Sequence, residues 1–295
     1  LTWGALNIIG ADEDTRADIE RAQGEVAEAV DREITDLGIE HDSAGNRAKA
    51  YLYCLETRCP KTGWMVPMAP SWVISRKRNV VARLVPEYAN KRFGIEILSG
   101  VSKAELNEAD RGTVQGSDLV YTLDGETYRT PIKTIRGDYR ENHGQTQNKL
   151  RQWGKCDFKP RQEDIFQERL YCIQWIDRDD LKSGKARPKT WFAAPTSEDL
   201  GRERRVEKIV SDNLADWQER GIVPDMKIEP GDKTDEPIRT RGWTYWHHLF
   251  TPREIILLSK YTENAKTSPY TFLNIPRILD NSSKLCRWYI RGNST

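Results

Sequence analysis

Residues 54–86, CLETRCPKTGWMVPMAPSWVISRKRNVVARLVP, constrain the fold of this chain more than any other stretch, because short β-type runs alternate there with turn residues. The run CPKTG at 59–63 has turn chemistry, since proline fixes φ and glycine allows a positive φ. The runs WMV at 64–66 and WVI at 72–74 are of β type, and the basic cluster RKR follows at 76–78. The pattern predicts a ribbon-like hairpin module that touches a polyanion.

Three segments show the spacing of apolar side chains that predicts amphipathic helices. The first spans 12–38, and the second spans 196–220, where Thr196 and Asp199 have the spacing of a capping box. The third begins at Thr251, with proline at the first helical position. These helices supply the apolar faces that a β module needs to pack against.

Smaller elements are predicted from local composition. Residues 132–135 favour a last short strand of the ribbon module, and 102–110 favour a short helix. The segment 222–242 is rich in proline and glycine and is interpreted as a connector. The adjacent His247 and His248 are placed on a strand, where their side chains would point to opposite faces.

Four segments follow along the chain. Residues 1–48 form a helical N-terminal segment and 49–135 the β ribbon-like module; 136–195 form a basic loop with a β hairpin, and 196–295 a mainly helical C-terminal segment. The predicted fold class is α+β, an antiparallel β ribbon-like module packed with several amphipathic helices.

Composition limits the compartment and the partners. The 295 residues carry a net charge of +1, so a nucleic-acid surface has to be a local patch. The five scattered cysteines are an odd number, which favours reduced thiols in the cytoplasm over a disulfide framework. No apolar run reaches the length of about 18 residues that a transmembrane helix needs, and we expect no membrane partner. Both ends of the sequence are typical of an excerpt from a longer protein.

Metal binding is expected to be absent. A structural zinc site needs four ligands, whereas Cys54 and Cys59 have no second cysteine pair to complete the set. The two cysteines are interpreted as small buried apolar residues, and the module as a degenerate zinc ribbon. His247 and His248 are interpreted first as packing or polar contacts. We identify no catalytic residues in the chain.

Nucleic-acid contact is the strongest functional signal, because cations neutralise phosphates while neighbouring aromatic rings stack on bases. Three basic patches are candidates for binding double-stranded DNA. The first basic patch comprises Arg76, Lys77, Arg78, Arg83, Lys91 and Arg92. The second comprises Arg136, Arg140 and Arg151, and the third comprises Arg239 and Arg241. Solvated surface charge and buried core aromatics are the competing interpretation.

Three runs carry a resemblance to a known family: AYLYCLETRCPKTGWMVPMAPSWVIS at 50–75, FKPRQEDIFQERLYCIQW at 158–175 and RGWTYWHHLFTPREIILLSKY at 241–261. The chain resembles adenine-specific DNA methylases with an inserted zinc-ribbon-like module, in the branch associated with anti-phage defence. In that family, a glycine-rich methyl-donor loop precedes the matched region and an Asp-Pro-Pro-Tyr catalytic motif follows it. Neither motif occurs in this sequence, and of the Cys-Pro-x-x-Cys pattern of many relatives only Cys59-Pro60 is kept.

The resemblance implies an internal DNA-recognition or clamping segment of an S-adenosylmethionine-dependent adenine-N6 DNA methyltransferase in a phage-defence (restriction-modification) system. Such a segment would not be catalytic alone: the methyl donor would be bound by the whole protein and not by this chain, and zinc is not expected. The alternative is a non-enzymatic structural or docking module that binds other phage-defence proteins.

Overall fold

The computed structural model describes residues 10–140, 146–232 and 234–265, together with the single residues 271, 283 and 284. The described chain is a mixed α+β fold with a mostly antiparallel sheet, which confirms the α+β part of the predicted class. The strands are β1 (Arg47–Arg58), β2 (Met65–Met68), β3 (Val73–Ser75), β4 (Val80–Glu87), β5 (Arg92–Ser99), β6 (Val114–Gln115), β7 (Asp118–Leu123), β8 (Glu126–Pro131), β9 (Tyr139–Arg140), β10 (Thr146–Gln147), β11 (Phe166–Ile176) and β12 (Thr190–Ala193). The helices are α1 (Glu13–Asp36), α2 (Lys103–Ala109), α3 (Ile132–Arg136), α4 (Arg178–Lys182), α5 (Ser197–Glu219), α6 (Asp235–Arg241) and α7 (Pro252–Ala265).

A seven-stranded sheet organises these elements, in the order β12-β11-β1-β2-β5-β4-β3. All neighbours are antiparallel except β2 and β5, which pair in parallel where Met65 meets Arg92. The pairing of β1 with β11 runs from Arg47 opposite Ile176 to Thr57 opposite Phe166. Residues of the predicted segments 49–135 and 136–195 therefore share one sheet.

The sheet curls, so that strands from its two ends approach each other. Arg78, in the turn after β3, donates hydrogen bonds to the carbonyl oxygen of Thr190 on β12 at 2.9 Å and to its hydroxyl at 2.6 Å. An apolar cluster drawn from both ends of the sheet fills the curl: Leu52, Cys54, Ala69, Trp72, Ile74, Val80, Ala82, Cys172 and Phe192. Burial of this cluster explains why the runs on either side of the 59–63 turn are apolar.

Helices α1, α5 and α7 share a second apolar cluster. Its buried members on these helices include Val26, Val30, Ile34, Val206, Val210, Leu214, Trp217, Ile255 and Ile256. Side-chain caps start two of these helices: the Asp12 carboxylate accepts from the Thr15 N–H at 2.8 Å, and Thr196 forms the predicted capping box with Asp199. All three predicted amphipathic helices are confirmed, and the third extends to Ala265.

Three local predictions are wrong. Residues 132–136 form helix α3 instead of a strand, ended by Gly137 at φ 68°. The interpreted connector contains helix α6, because the proline at 237 lies in its first turn, where a missing N–H costs no helical hydrogen bond. The histidines lie on a short 3₁₀ helix, Trp246–Leu249, and both are fully buried. The predicted short helix at 102–110 is confirmed as α2.

Within the described residues, no helix combines the length and apolar character that crossing a membrane requires.

Candidate nucleic-acid interface

Most cations of the first basic patch contact other groups of the chain. Arg76 forms an ion pair with Asp110 at 2.6 Å, and Arg83 forms one with Glu96 at 2.6 Å on the neighbouring strand. Arg78 is the residue that joins the two ends of the curled sheet. These guanidinium groups therefore use N–H donors for contacts with other residues of the protein.

Arg92 is engaged in the same way. The carboxylate of Glu56 lies between Arg92 at 3.3 Å and Arg169 at 3.2 Å, and only 10% of the Glu56 side chain is exposed. Lys77 and Lys91 are exposed and have no ion-pair partner among the residues that the structure describes. The first basic patch thus offers two lysines and no unpaired arginine at its surface.

The second basic patch also contains structural arginines. Arg136 donates two hydrogen bonds to Asp138, at 3.0 and 2.7 Å. Arg151 bridges Asp157 at 2.6 Å and Asp164 at 2.7 Å, and these two carboxylates are 9% and 8% exposed. Arg151 therefore neutralises two buried charges of the 151–164 segment.

Three exposed residues, Tyr139, Arg140 and Arg239, lie on the β9–β10 hairpin and on helix α6, two segments that a hydrogen bond joins; we call them the Tyr139 surface. Tyr139 is 51% exposed, and both arginines are exposed with no ion-pair partner in the described part of the chain. Tyr139 pairs with Gln147 across the β9–β10 hairpin. The side chain of Asn148, the residue after Gln147, donates a hydrogen bond to the Arg239 carbonyl oxygen at 2.6 Å. That contact holds the hairpin against α6.

Gly242 allows the backbone that follows helix α6 to lie close to the backbone of residues 151–153. It adopts φ +78°, and a Cβ at this position would lie 2.1 Å from the carbonyl oxygen of Arg151. Its own carbonyl oxygen accepts from the Trp153 N–H at 2.8 Å. Only glycine fits there without moving the backbone, so Gly242 allows the end of helix α6, at Arg241, to lie directly against the backbone of Arg151.

Tryptophans next to the predicted patches are core residues. Four tryptophans close to the basic residues in the sequence are between 4% and 6% exposed, namely Trp64, Trp72, Trp153 and Trp243, whereas Trp246 is 37% exposed. Trp153 packs edge-on against Trp243, with ring centroids 6.3 Å apart. These rings are not available for stacking on bases, which leaves Tyr139 as the exposed aromatic residue of the Tyr139 surface.

The two buried histidines use their ring nitrogens for hydrogen bonds to the backbone. His248 accepts from the N–H groups of Thr244 and Tyr245, both at 3.2 Å, and its other nitrogen donates to the Gly154 carbonyl at 3.0 Å. Burial and the neighbouring His247 lower the pKa of His248 to about 3. Within the described residues, no group of three or more His, Cys, Asp and Glu side chains is placed to hold a metal ion.

The turn at 59–63 surrounds a fully buried cysteine with hydrogen-bonding groups. The Cys59 sulfur lies 3.7 Å from the Thr130 hydroxyl, and the Thr62 hydroxyl lies 2.6 Å from the Tyr121 hydroxyl. Burial opposes ionisation of Cys59, but hydrogen bonds from Tyr121, from the backbone of Thr62 and Lys61 and from Thr130 outweigh it and lower its pKa. The 59–63 turn, which joins β1 to β2, is thus connected to β7 and β8 by a polar network.

A cleft of about 380 Å³ is lined in part by Arg241, the last residue of helix α6, which also carries Arg239. The cleft is lined by all three sequence runs on which the family resemblance depends, through residues 51–55, through Glu168 and Tyr171, and through Arg241 and Glu254, with Lys284 also at its wall. The Lys284 ammonium pairs with Glu168 at 2.7 Å. Burial lowers the pKa of Arg241, and repulsion by Arg136 adds to this effect.

The sequence analysis identified Arg241 but not the acidic side of this cleft. Glu254 appears in the sequence as a helix-capping residue, and the Thr251 N–H does donate to it at 2.7 Å. Its second role, as a wall of the cleft, depends on contacts between segments far apart in the chain. The one available signal was that Glu168 and Glu254 both lie in runs rich in aromatic residues.

Comparison of the chain with protein-family models, with curated proteins and with solved structures gives no match.

Proposed function

We propose that this chain is a DNA-recognition segment of an S-adenosylmethionine-dependent adenine-N6 DNA methyltransferase of a phage-defence system, and that it is not catalytic by itself. The observation that carries the proposal is the Tyr139 surface, where Tyr139 is exposed and where Arg140 and Arg239 are exposed with no ion-pair partner within the described residues. Unpaired cations release counterions when they meet phosphates, whereas ion-paired arginines first have to break a contact.

The choice of enzyme family depends on the sequence resemblance. Support comes from the three resembling runs, which line one cleft instead of being scattered. No residue of this chain is assigned to the methyl donor, which the whole enzyme would bind. The cytoplasm, where DNA and reduced thiols occur together, is the compartment that fits this proposal.

The 59–63 turn and the β7–β8 hairpin fit a zinc-ribbon-like module that has lost its metal. One sulfur and three hydroxyl groups meet there, from Cys59, Thr62, Tyr121 and Thr130. Three hydroxyl groups do not match the Cys and His ligands of structural zinc, so the residues present do not fit the metal. In this proposal the hydrogen-bond network holds the turn together in place of an ion.

Fluorescence anisotropy with a labelled DNA duplex tests the proposal. Replacing Arg140 and Arg239 by alanine should weaken binding roughly tenfold or more at low salt. Replacing Arg76 and Arg83 by alanine removes the same net charge but only ion-paired groups, and should leave the affinity nearly unchanged. Equal losses in the two double variants would contradict the proposal, as would no binding of the unmodified chain.

A second measurement addresses catalysis. Incubation of the chain with duplex DNA and a methyl donor labelled on its methyl group should transfer no label, because the catalytic tetrapeptide of the family is absent from this sequence. Labelled DNA would show that the chain is an enzyme in its own right.

The docking alternative has one observation in its favour. Met226 and Trp246 are adjacent, since the Trp246 N–H donates to the Met226 carbonyl at 3.3 Å, and they are 65% and 37% exposed. Exposed tryptophan and methionine are typical of protein interfaces. A chain that binds no DNA but binds another defence protein, with the affinity lost in Trp246→Ala, would favour this function.

A further inference from the structure

Arg241 differs from Arg92, Arg136 and Arg151, which are partly buried and each pair with a carboxylate. Arg78 has an environment similar to that of Arg241, since it bonds to Thr190 and lies 5.9 Å from the centre of the Phe192 ring. The Arg241 guanidinium donates to the carbonyl of Thr240 at 3.1 Å and lies 5.9 Å from the centre of the Phe166 ring, but no carboxylate pairs with it among the described residues. Arg151, by contrast, is bonded to two carboxylates. Glu236 and Glu168 act on Arg241 only from beyond ion-pair distance, so the cost of its burial is incompletely compensated, and an anion entering the cleft would offset that cost.

The acidic groups of the same cleft keep free acceptor positions. One oxygen of Glu254 accepts from the Thr251 N–H, and its other oxygen has no hydrogen-bond partner among the described residues. Glu168 uses one oxygen for Lys284, at 2.7 Å, and its second oxygen is likewise free within the described residues. The cleft therefore suits a ligand with an anionic group for Arg241 and an amino group for a carboxylate.

The volume and the position of the cleft limit the kinds of ligand that could bind there. Its volume of about 380 Å³ lies in the range of small-molecule sites, which is roughly 300–1,000 Å³. Helix α6 carries Arg239 on the exposed Tyr139 surface and, two residues later, Arg241 at the cleft. A DNA strand bound to the Tyr139 surface could rotate one of its nucleotides into the cleft while its other nucleotides stay bound to the protein.

We propose that the Arg241 cleft binds a single nucleotide whose base carries an exocyclic amino group, with its phosphate on Arg241 and its amino group on Glu254 or Glu168. This inference rests on the proposed DNA-recognition function and names a component of DNA that would enter the chain. The guanidinium fork matches phosphate oxygens in pairs, and carboxylates accept from the amino groups of adenine and cytosine. Thymine has no such amino group, so the cleft should distinguish among bases.

Isothermal titration of the 295-residue chain with dAMP, dCMP, dTMP, deoxyadenosine and inorganic phosphate tests the proposal. The amino-bearing nucleotides dAMP and dCMP should bind roughly tenfold more tightly than dTMP, as expected for a hydrogen bond to a charged group. Arg241→Gln should weaken dAMP roughly tenfold and leave deoxyadenosine unchanged. Glu254→Gln, which keeps an oxygen for the helix cap, should reduce the preference for dAMP over dTMP.

Arg83→Gln is the matched control, because it makes the same substitution at an exposed ion pair elsewhere in the sheet, and it should bind dAMP like the unmodified chain. Thermal unfolding shows whether each variant is folded. If Arg241→Gln does not fold, the comparison of dAMP with dTMP on the unmodified chain still decides. Equal affinities for dAMP and dTMP, or no nucleotide binding by the folded chain at millimolar concentration, would overturn the inference.

The two proposals fail separately. Duplex binding that depends on Arg140 and Arg239, without nucleotide binding, would overturn only the cleft. Nucleotide binding that depends on Arg241, without duplex binding, would overturn the DNA-recognition function and leave the cleft as a nucleotide site.

Discussion

The first basic patch and the Tyr139 surface are both rich in arginine, yet their cations have different environments. In the first patch, arginines pair with carboxylates on neighbouring strands and loops, as Arg83 does with Glu96. At the Tyr139 surface, Arg140 and Arg239 are exposed and unpaired within the described residues. The difference teaches that the number of basic residues in a segment does not measure its capacity to bind a polyanion. Capacity depends on which of those residues already have partners.

The largest expected effect concerns a paired arginine that stabilises the fold. Arg151→Met should lower the free energy of unfolding by about 3–5 kcal/mol, because the buried carboxylate of Asp164 loses its ion-pair partner and that of Asp157 keeps only the exposed Arg161. Urea unfolding followed by circular dichroism measures this. Arg161→Met is the control: Arg161 also contacts Asp157, at 3.0 Å, but is 55% exposed, and should cost under ~1 kcal/mol. Similar losses in both variants would contradict the distinction between buried and exposed pairs.

The next largest effect is the dependence of stability on pH, which tests whether His248 stays uncharged in the fold. His248 has a pKa of about 3 in the fold, below its ordinary value, so between that pKa and about 6.5 the unfolded chain binds more protons. Stability should therefore fall as the pH drops through this window, by about 2 kcal/mol at pH 5 relative to pH 8 for this group.

Urea unfolding at pH 8, 6.5 and 5 measures this dependence on pH. His248→Gln should be less stable at pH 8 and should show a flatter dependence. Stability that rises on acidification would show that His248 becomes charged in the fold, which the structure does not support.

The smallest expected effect concerns the paired arginines of the first basic patch. Arg83→Ala should change the free energy of unfolding by only about 0.2–1 kcal/mol, because Arg83 and Glu96 form an exposed cross-strand pair. Double-mutant analysis with Glu96→Ala isolates the pair energy. A coupling well above ~1 kcal/mol would mean that this pair is structural in the same sense as Arg151.

Local signals explain what the sequence predicted well. The long helices were predicted because their caps lie within three residues of the groups they bind, as with Asp12 and Thr15. The short helices α3 and α6 were missed because five to seven residues carry too little periodicity, whereas the equally short α2 was predicted from its local composition. A proline in the first turn was also interpreted as a break, although it is compatible with a helix.

The candidate site was predicted only in part, for a physical reason. Arg76, Arg83 and Arg239 look alike in the sequence, because a carboxylate partner comes from a different strand or loop. Glu56 and Arg169, for example, meet only through the pairing of β1 with β11. The sequence therefore predicts where cations are abundant, whereas the tertiary structure decides which of them are unpaired.

The salt dependence of duplex binding tests the central claim most directly, because its slope reports how many phosphates the chain neutralises. Replacing Arg140 and Arg239 by alanine should reduce the slope of log K against log salt by about 1.8, at about 0.9 per phosphate contact. The charge-matched Arg76→Ala/Arg83→Ala variant should keep the slope of the unmodified chain. A slope reduced in the second variant and unchanged in the first would contradict the account, because the ion-paired patch would then be the surface that binds DNA.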